Sequence, residues 1–254
     1  MPSIRHMERA VDSLLTSSEV ALPLRTRRRL LFFILGILLS GTLVLRRIAS
    51  THAYLTPQTT CAASHERRLR RVINDPLMTW ERSYAHVVRR MLARHRPRRW
   101  VVIIDETAQA EHLRVLAAAV WYRGRAIPLA WRCWPGQTKQ TVSYWARCGS
   151  LLAMVREVLP PGASVVVVAD RAFGCPVFTD QVTRYGWDWV VRVQNQTRWQ
   201  DRCGREAQLR HLVQHAGQRW KGRGNIFKGE GWRTCSVVVL WGQRHRDPLL
   251  LASS

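Results

Sequence analysis

Two stretches of this chain constrain its fold more than any others. Val101-Val102-Ile103-Ile104 runs into Asp105, with Glu106 and Thr107 after it. Val165-Val166-Val167-Val168-Ala169 runs into Asp170, with Arg171-Ala172-Phe173-Gly174 after it. Continuous β-branched runs of this length read as strands buried on both faces, in a sheet covered by helices. A carboxylate after such a strand lies at the sheet's rim, where open α/β sheets bind ligands. If the two strands are neighbours, their carboxylates lie close together. Like charges at that range need a proton or a cation between them, and oxygen ligands suit magnesium or manganese. An aspartate in this place is also a common helix N-cap.

Charge points to the partner. The 254 residues carry 40 Lys and Arg against 17 Asp and Glu, a formal net charge of +23. Only Lys139, Lys221 and Lys228 are lysines. Arginine forks match phosphate oxygens in pairs, so the excess implies a polyanion, most simply nucleic acid. The six cysteines form no C-x-x-C, which argues against a zinc finger or ribbon, and they read as reduced cytoplasmic thiols. His211 and His215 share a face if helical, but the glutamate of H-E-x-x-H is absent, so a structural pair is expected.

Residues 1–97 read as a basic helical region. Leu30 to Leu45 carries no charge and lies between Arg27-Arg28-Arg29 and Arg46-Arg47. It is short of the roughly 20 apolar residues a spanning helix needs. Buried helical core is therefore expected, with a membrane protein anchored by residues 30–45 as the alternative. Ser40-Gly41 offers a helix end and restart. A second helical region opens with Ser64 as N-cap, breaks at Asn74-Asp75-Pro76, and resumes from Glu81 to Ala93. Its arginines crowd Arg67, Arg68, Arg70 and Arg71, and a phosphate-tracking face is expected there.

From 98 to 193 the pattern is three strands, helix, strand, helix, strand. After the Asp105 strand come Leu113 to Tyr122, a turn at Arg123-Gly124-Arg125, and Ala126 to Trp134. A helical segment over 141–159 is stopped by Pro160-Pro161-Gly162. The Asp170 strand, a helix over Phe178 to Tyr185 and a strand over Trp187 to Val193 follow. A helical crossover lets the Asp170 strand lie parallel beside the Asp105 strand. Residues 194–254 read as a β-rich insertion, with strands at Thr234 to Trp241 and from Leu249. Its tryptophans, Trp199 among them, suit either base stacking or core filling.

At Ile104-Asp105-Glu106-Thr107 and at Ala169-Asp170-Arg171-Ala172-Phe173-Gly174 the chain resembles bacterial transposases of the DDE class, most of all the insertion-sequence-four group. The resemblance covers nearly the whole chain. It implies a mixed-sheet ribonuclease H-like α/β core, preceded by an all-helical region and carrying a β-rich insertion. It also implies two-metal phosphoryl transfer, with Asp105 and Asp170 as catalytic residues holding magnesium or manganese. Expected DNA contacts are Arg67, Arg68, Arg70, Arg71, Lys139, Arg171 and Trp199. The partners implied are double-stranded transposon ends and target DNA, a homodimer or a full-length transposase, and the place implied is the bacterial cytoplasm, associated with the nucleoid. The family's third acid lies within Y-x2-R-x3-E-x6-K. Tyr185 is the last tyrosine here, and Asp188 stands where the Arg should be. The expectation is a chain that lacks its last catalytic helix and is inactive alone, unless a frameshift supplies the Glu. The alternative is a non-catalytic DNA-binding fragment that regulates full-length transposase. An apolar sheet face left open by the missing helix is expected to promote association.

Overall fold

The computed structural model describes residues 3–55, 61–136 and 142–254. The chain divides into two compact units, Met1–Arg96 and Pro97–Ser254.

The first unit is helical: α1 (Ile4–Ser17), α2 (Leu24–Ser40), α3 (Leu45–Leu55), α4 (Ala62–Ile73) and α5 (Tyr84–Ala93). Ser3 caps α1 by accepting from the His6 N–H. Gly41, at φ 63°, ends α2 in the left-handed conformation glycine favours. The uncharged stretch from Leu30 is thereby split, and α2 and α3 meet at a 91° bend. No single helix among the described residues is long and apolar enough to cross a membrane; the bent pair passes by length and composition only. One side of α2 enters the core: Phe32, Phe33 and Ile37 pack with Leu45 around the buried Ile48, Ala49 and Leu69. At Gly36 a Cβ would lie 2.4 Å from Ile48 and 2.6 Å from His52, so only glycine admits this approach of α2 and α3. Two helix starts differ from the expected ones. α4 begins at Ala62, after an extended Cys61, and Ser64 lies inside it with its hydroxyl accepting from Arg67. α5 begins at Tyr84, because Thr79 to Ser83 close a turn of their own, with the Ser83 N–H bonded to the Thr79 carbonyl.

A ring stack joins three of these helices. Phe32 lies 3.7 Å from the His52 ring and 5.4 Å from His65, and the Arg68 guanidinium sits 4.1 Å above Phe32. The His52 Nε2 lies 3.1 Å from the Phe32 carbonyl, within hydrogen-bond reach. Burial lowers both imidazoles below the ordinary 6.5, with Arg68 acting in the same direction. The unfolded chain therefore binds these protons more readily than the folded one. The stability contributed by the neutral rings is complete above 6.5 and is lost as pH falls below it. A lower urea midpoint is expected at about pH 5.5 than at about pH 7.5, with a smaller difference in His52→Gln/His65→Gln. A midpoint unchanged over that range contradicts the assignment.

The second unit is built on one ten-stranded sheet, ordered β3-β2-β1-β4-β5-β10-β9-β8-β6-β7. The meander is β1 (Trp100–Gln109), β2 (Leu113–Tyr122) and β3 (Arg125–Pro135). Arg123 and Gly124 both take positive φ, the two-residue turn that matches the twist of a hairpin. α6 (Tyr144–Val158) then crosses to β4 (Val165–Ala169), and α7 (Pro176–Thr183) leads to β5 (Asp188–Arg192). β4 is parallel to both β1 and β5. Three antiparallel strands followed by two parallel ones in the order 3-2-1-4-5 are a ribonuclease H-like core. Residues 194–254 extend that sheet. β6 (Arg198–Gln200), β7 (Glu206–Gln208), β8 (Arg219–Ile226), β9 (Arg233–Leu240) and β10 (Leu249–Ser253) continue it from β5, which pairs antiparallel with β10. His211 and His215 are not on one helix, since the 3-10 turn Leu209–Leu212 ends between them.

Alternation decides which side is core. Val102, Ile104, Val167, Val191, Ala252 and Val237 are buried on the face that carries α6 and α7. Val101, Ile103, Val166, Val168, Val190 and Leu251 face the other way and are half-buried. All six cysteines are free, and burial pushes the Cys148 and Cys235 thiols up to about 12, which keeps them protonated.

Candidate functional site

The parallel pairing of β1 and β4 brings the two aspartates together. Ile104 pairs with Ala169, so Asp105 and Asp170 stand opposite each other one position further on. Neighbouring strands lie about 4.8 Å apart, which sets the scale of their separation. Both residues are exposed. Asp105 is not at the end of its strand, as the apolar run suggested. β1 continues to Gln109, paired with β2, because the meander reaches beyond the shorter parallel strands. Asp105 is where β1 loses β4 as a neighbour, and the rim lies there.

The residues after Asp170 hold it in place. Its Oδ1 accepts the Ala172 N–H at 2.9 Å, capping the 3-10 turn Arg171–Phe173, so it is a cap as well as a candidate ligand. Phe173 is fully buried and packs against Phe178 and Tyr144. Gly174 lets the turn lie on β5, since a Cβ there would come within 2.6 Å of the Arg192 carbonyl oxygen. Arg171 is exposed beside the rim. In Asp170-Arg171-Ala172-Phe173-Gly174 the Phe and the Gly are thus anchors for the Asp.

Other acids are placed elsewhere. Glu106 points to the helix-covered face, bonds Arg114 at 2.7 Å and adjoins Tyr144, whose hydroxyl is pushed up by burial. Asp180 pairs with Arg233, and Glu206 with Arg198 and Lys228. Asp188 lies at the opposite end of β5 and pairs with Arg99. Asp201 accepts from the Cys203 and Arg205 N–H groups in its own turn. Among the described residues no group of three or more His, Cys, Asp or Glu could hold a metal ion. Asp105 and Asp170 would offer two carboxylates. That suits one hard divalent ion keeping several waters and taking substrate phosphates as further ligands.

In the helical unit the arginines of α4 divide. Arg67 bonds Ser64, and Arg70 bonds Glu66 at 2.7 Å. Arg68 and Arg71 line an open groove of about 490 Å³ with Leu24, Arg25, Arg28 and Arg29 of α2, and Arg70 lines an adjoining one with Arg29 and Arg71. Burial, and then the charge of Arg29, lowers the Arg68 pKa. Asp75 adjoins the cluster, 3.9 Å from Arg29 and beside Arg70 and Arg71 in a neighbouring pocket. Arg25 and Arg28 had no sequence signal of their own. They sit beside the uncharged stretch, where flanking arginines suit any buried helix.

Trp199 is half-buried and meets Trp220 edge-on at 5.0 Å, over Gly224. Its ring serves the packing of β6 on β8. Lys139 lies outside the described residues.

No protein-family model matches the chain, and no curated protein matches it. Among solved structures it is similar to the piggyBac transposase in a synaptic complex with hairpin DNA, at 11% identity and a TM-score of 0.45, covering 100% of this chain and 61% of that one. It is also similar to endonuclease V from Streptomyces avermitilis, at 16% identity and a TM-score of 0.34, covering 60% of this chain and 64% of that one. The catalytic domain of human endonuclease V matches at 14% identity and a TM-score of 0.33, over 60% of this chain and 67% of that one.

Proposed function

We propose that this protein binds DNA and belongs, by its motifs and strand order, with the DDE transposases of the insertion-sequence-four type. The observation that carries the reading is the placement of Asp105 and Asp170 one step beyond the Ile104–Ala169 pair on parallel strands. Capping accounts for Asp170 but not for Asp105 opposite it, and a cation between the two would offset their like charge. Asp105 and Asp170 would hold a magnesium or manganese ion, which when bound supplies Lewis-acid stabilisation of phosphoryl oxygens. The arginine groove of α2 and α4 supplies the sequence-independent grip on phosphates.

Two carboxylates are one short of the family's set, so the chain is proposed to bind DNA without completing strand transfer. This favours the regulatory reading, in which it competes with or joins a full-length transposase. The test is a gel shift of duplex DNA together with a magnesium-dependent nicking and strand-transfer assay. Binding without either reaction is expected. Cleavage by this polypeptide that disappears in Asp105→Asn would show that two carboxylates suffice, and absent binding would remove the DNA reading.

A further inference from the structure

Pairing carries the row that contains Asp105 and Asp170 across the sheet. Ala169 pairs with Val191, so Asp170 stands beside Arg192. Arg192 pairs with Leu251, Leu251 with Val238, and Val238 with Lys221 on β8. Directly paired residues project from the same face. Lys221 therefore shares its face with the two carboxylates, four strand steps from Asp170, or about 19 Å along the sheet. Alternation adds Arg219 and Arg223 to that face of β8, and all three side chains are exposed. Their partners on β9 are Leu240, Val238 and Ser236, none of them acidic. Successive basic side chains stand about 6.7 Å apart, a spacing that an extended sugar–phosphate backbone can follow. This part of β8 lies short of its pairing with β6, and charges on an open edge also prevent edge pairing, but either sign serves that purpose. Here three cations share one face with an acid pair, and Arg192 adjoins that pair.

We propose that Arg219, Lys221 and Arg223 hold a phosphodiester backbone that crosses this sheet face toward Asp105 and Asp170, with Arg192 as the cation beside the carboxylates. The proposal rests on the nucleic-acid reading above and adds a second contact surface, separate from the arginine groove of the helical unit. The shared chemistry is the phosphodiester, from a single strand or from a duplex.

The test is fluorescence anisotropy of the full chain with a labelled oligonucleotide, single-stranded in one arm and duplex in the other, over a salt series. R219Q/K221Q/R223Q is expected to lower the magnitude of the log–log salt slope by about 2.1 in the single-strand arm or about 2.7 in the duplex arm, from about 0.7 or 0.9 per phosphate. The arm that shows the drop identifies the source. R219K/R223K keeps the charge and is expected to keep the wild-type slope. Should the triple variant lose its cooperative melt, the three single glutamine variants carry the test, each with about a third of the drop. Unchanged slopes in both arms, with wild-type binding intact, overturn the stripe and leave the nucleic-acid reading standing. Absent binding by the wild type overturns both.

Discussion

Manganese is expected to stabilise the wild-type chain against unfolding and to leave Asp105→Asn unaffected. An ion that binds only the folded state stabilises it by about 2.7 kcal/mol at a hundred times its Kd. The carboxylates come together only when β1 lies beside β4, so the unfolded chain has no equivalent site. The apo proteins should differ in the opposite direction. Removing one of two neighbouring negative charges relieves repulsion, so Asp105→Asn is expected to melt higher than wild type in a chelator. Asp170→Asn is a different case. It also weakens the cap on the Ala172 N–H, so its gain in chelator should be smaller or reversed. Thermal melts with and without manganese, paired with calorimetric titration, read all of this. Equal stabilisation of wild type and Asp105→Asn would show that the ion binds elsewhere.

Replacing Arg25, Arg28 and Arg71 by glutamine is expected to weaken DNA binding on the order of a hundredfold. A charge-assisted hydrogen bond lost at each position costs about 1 kcal/mol or more, and each 1.4 kcal/mol is tenfold in Kd. The loss should be largest at low salt and shrink as salt rises, because the contacts act through counterion release. Arg67→Gln is the control from the same helix. Its side chain bonds Ser64 and does not line that groove, and a much smaller loss is expected. Arg68 is left out of both variants, because its guanidinium lies on Phe32 and its removal disturbs the ring stack. Equal losses in the two variants would mean that binding follows net charge and not the groove.

The contrast between Arg68 and Arg71 shows what the linear pattern held back. Both belong to one basic run, and helical periodicity alone does not separate them. Both line a groove shared with arginines tens of residues earlier, and Arg68 also stacks on a ring of α2. Trp199 is a similar case. A tryptophan among basic residues suits a stacking platform, and the structure places its ring half-buried over a glycine of the neighbouring strand, edge-on to Trp220. The membrane alternative drew on an uncharged stretch whose helix ends at Gly41, a local signal that was legible, whereas the 91° turn into α3 was not.

What the sequence determined by itself was local: the apolar runs, the turns between them, the aspartate after each run and the excess of arginine. Those follow from φ/ψ preference, from side-chain period and from charge, which neighbours along the chain decide. The tertiary structure decided which strands are adjacent and which face the helices cover. Only the β1–β4 pairing brings the two acids to one stretch of the sheet's rim, and only the pairings from β5 to β8 put Lys221 on the same face. Period two along a strand says which residues share a face of that strand. It does not say which strand lies beside it, because that choice is made by burying apolar area between segments far apart in the chain.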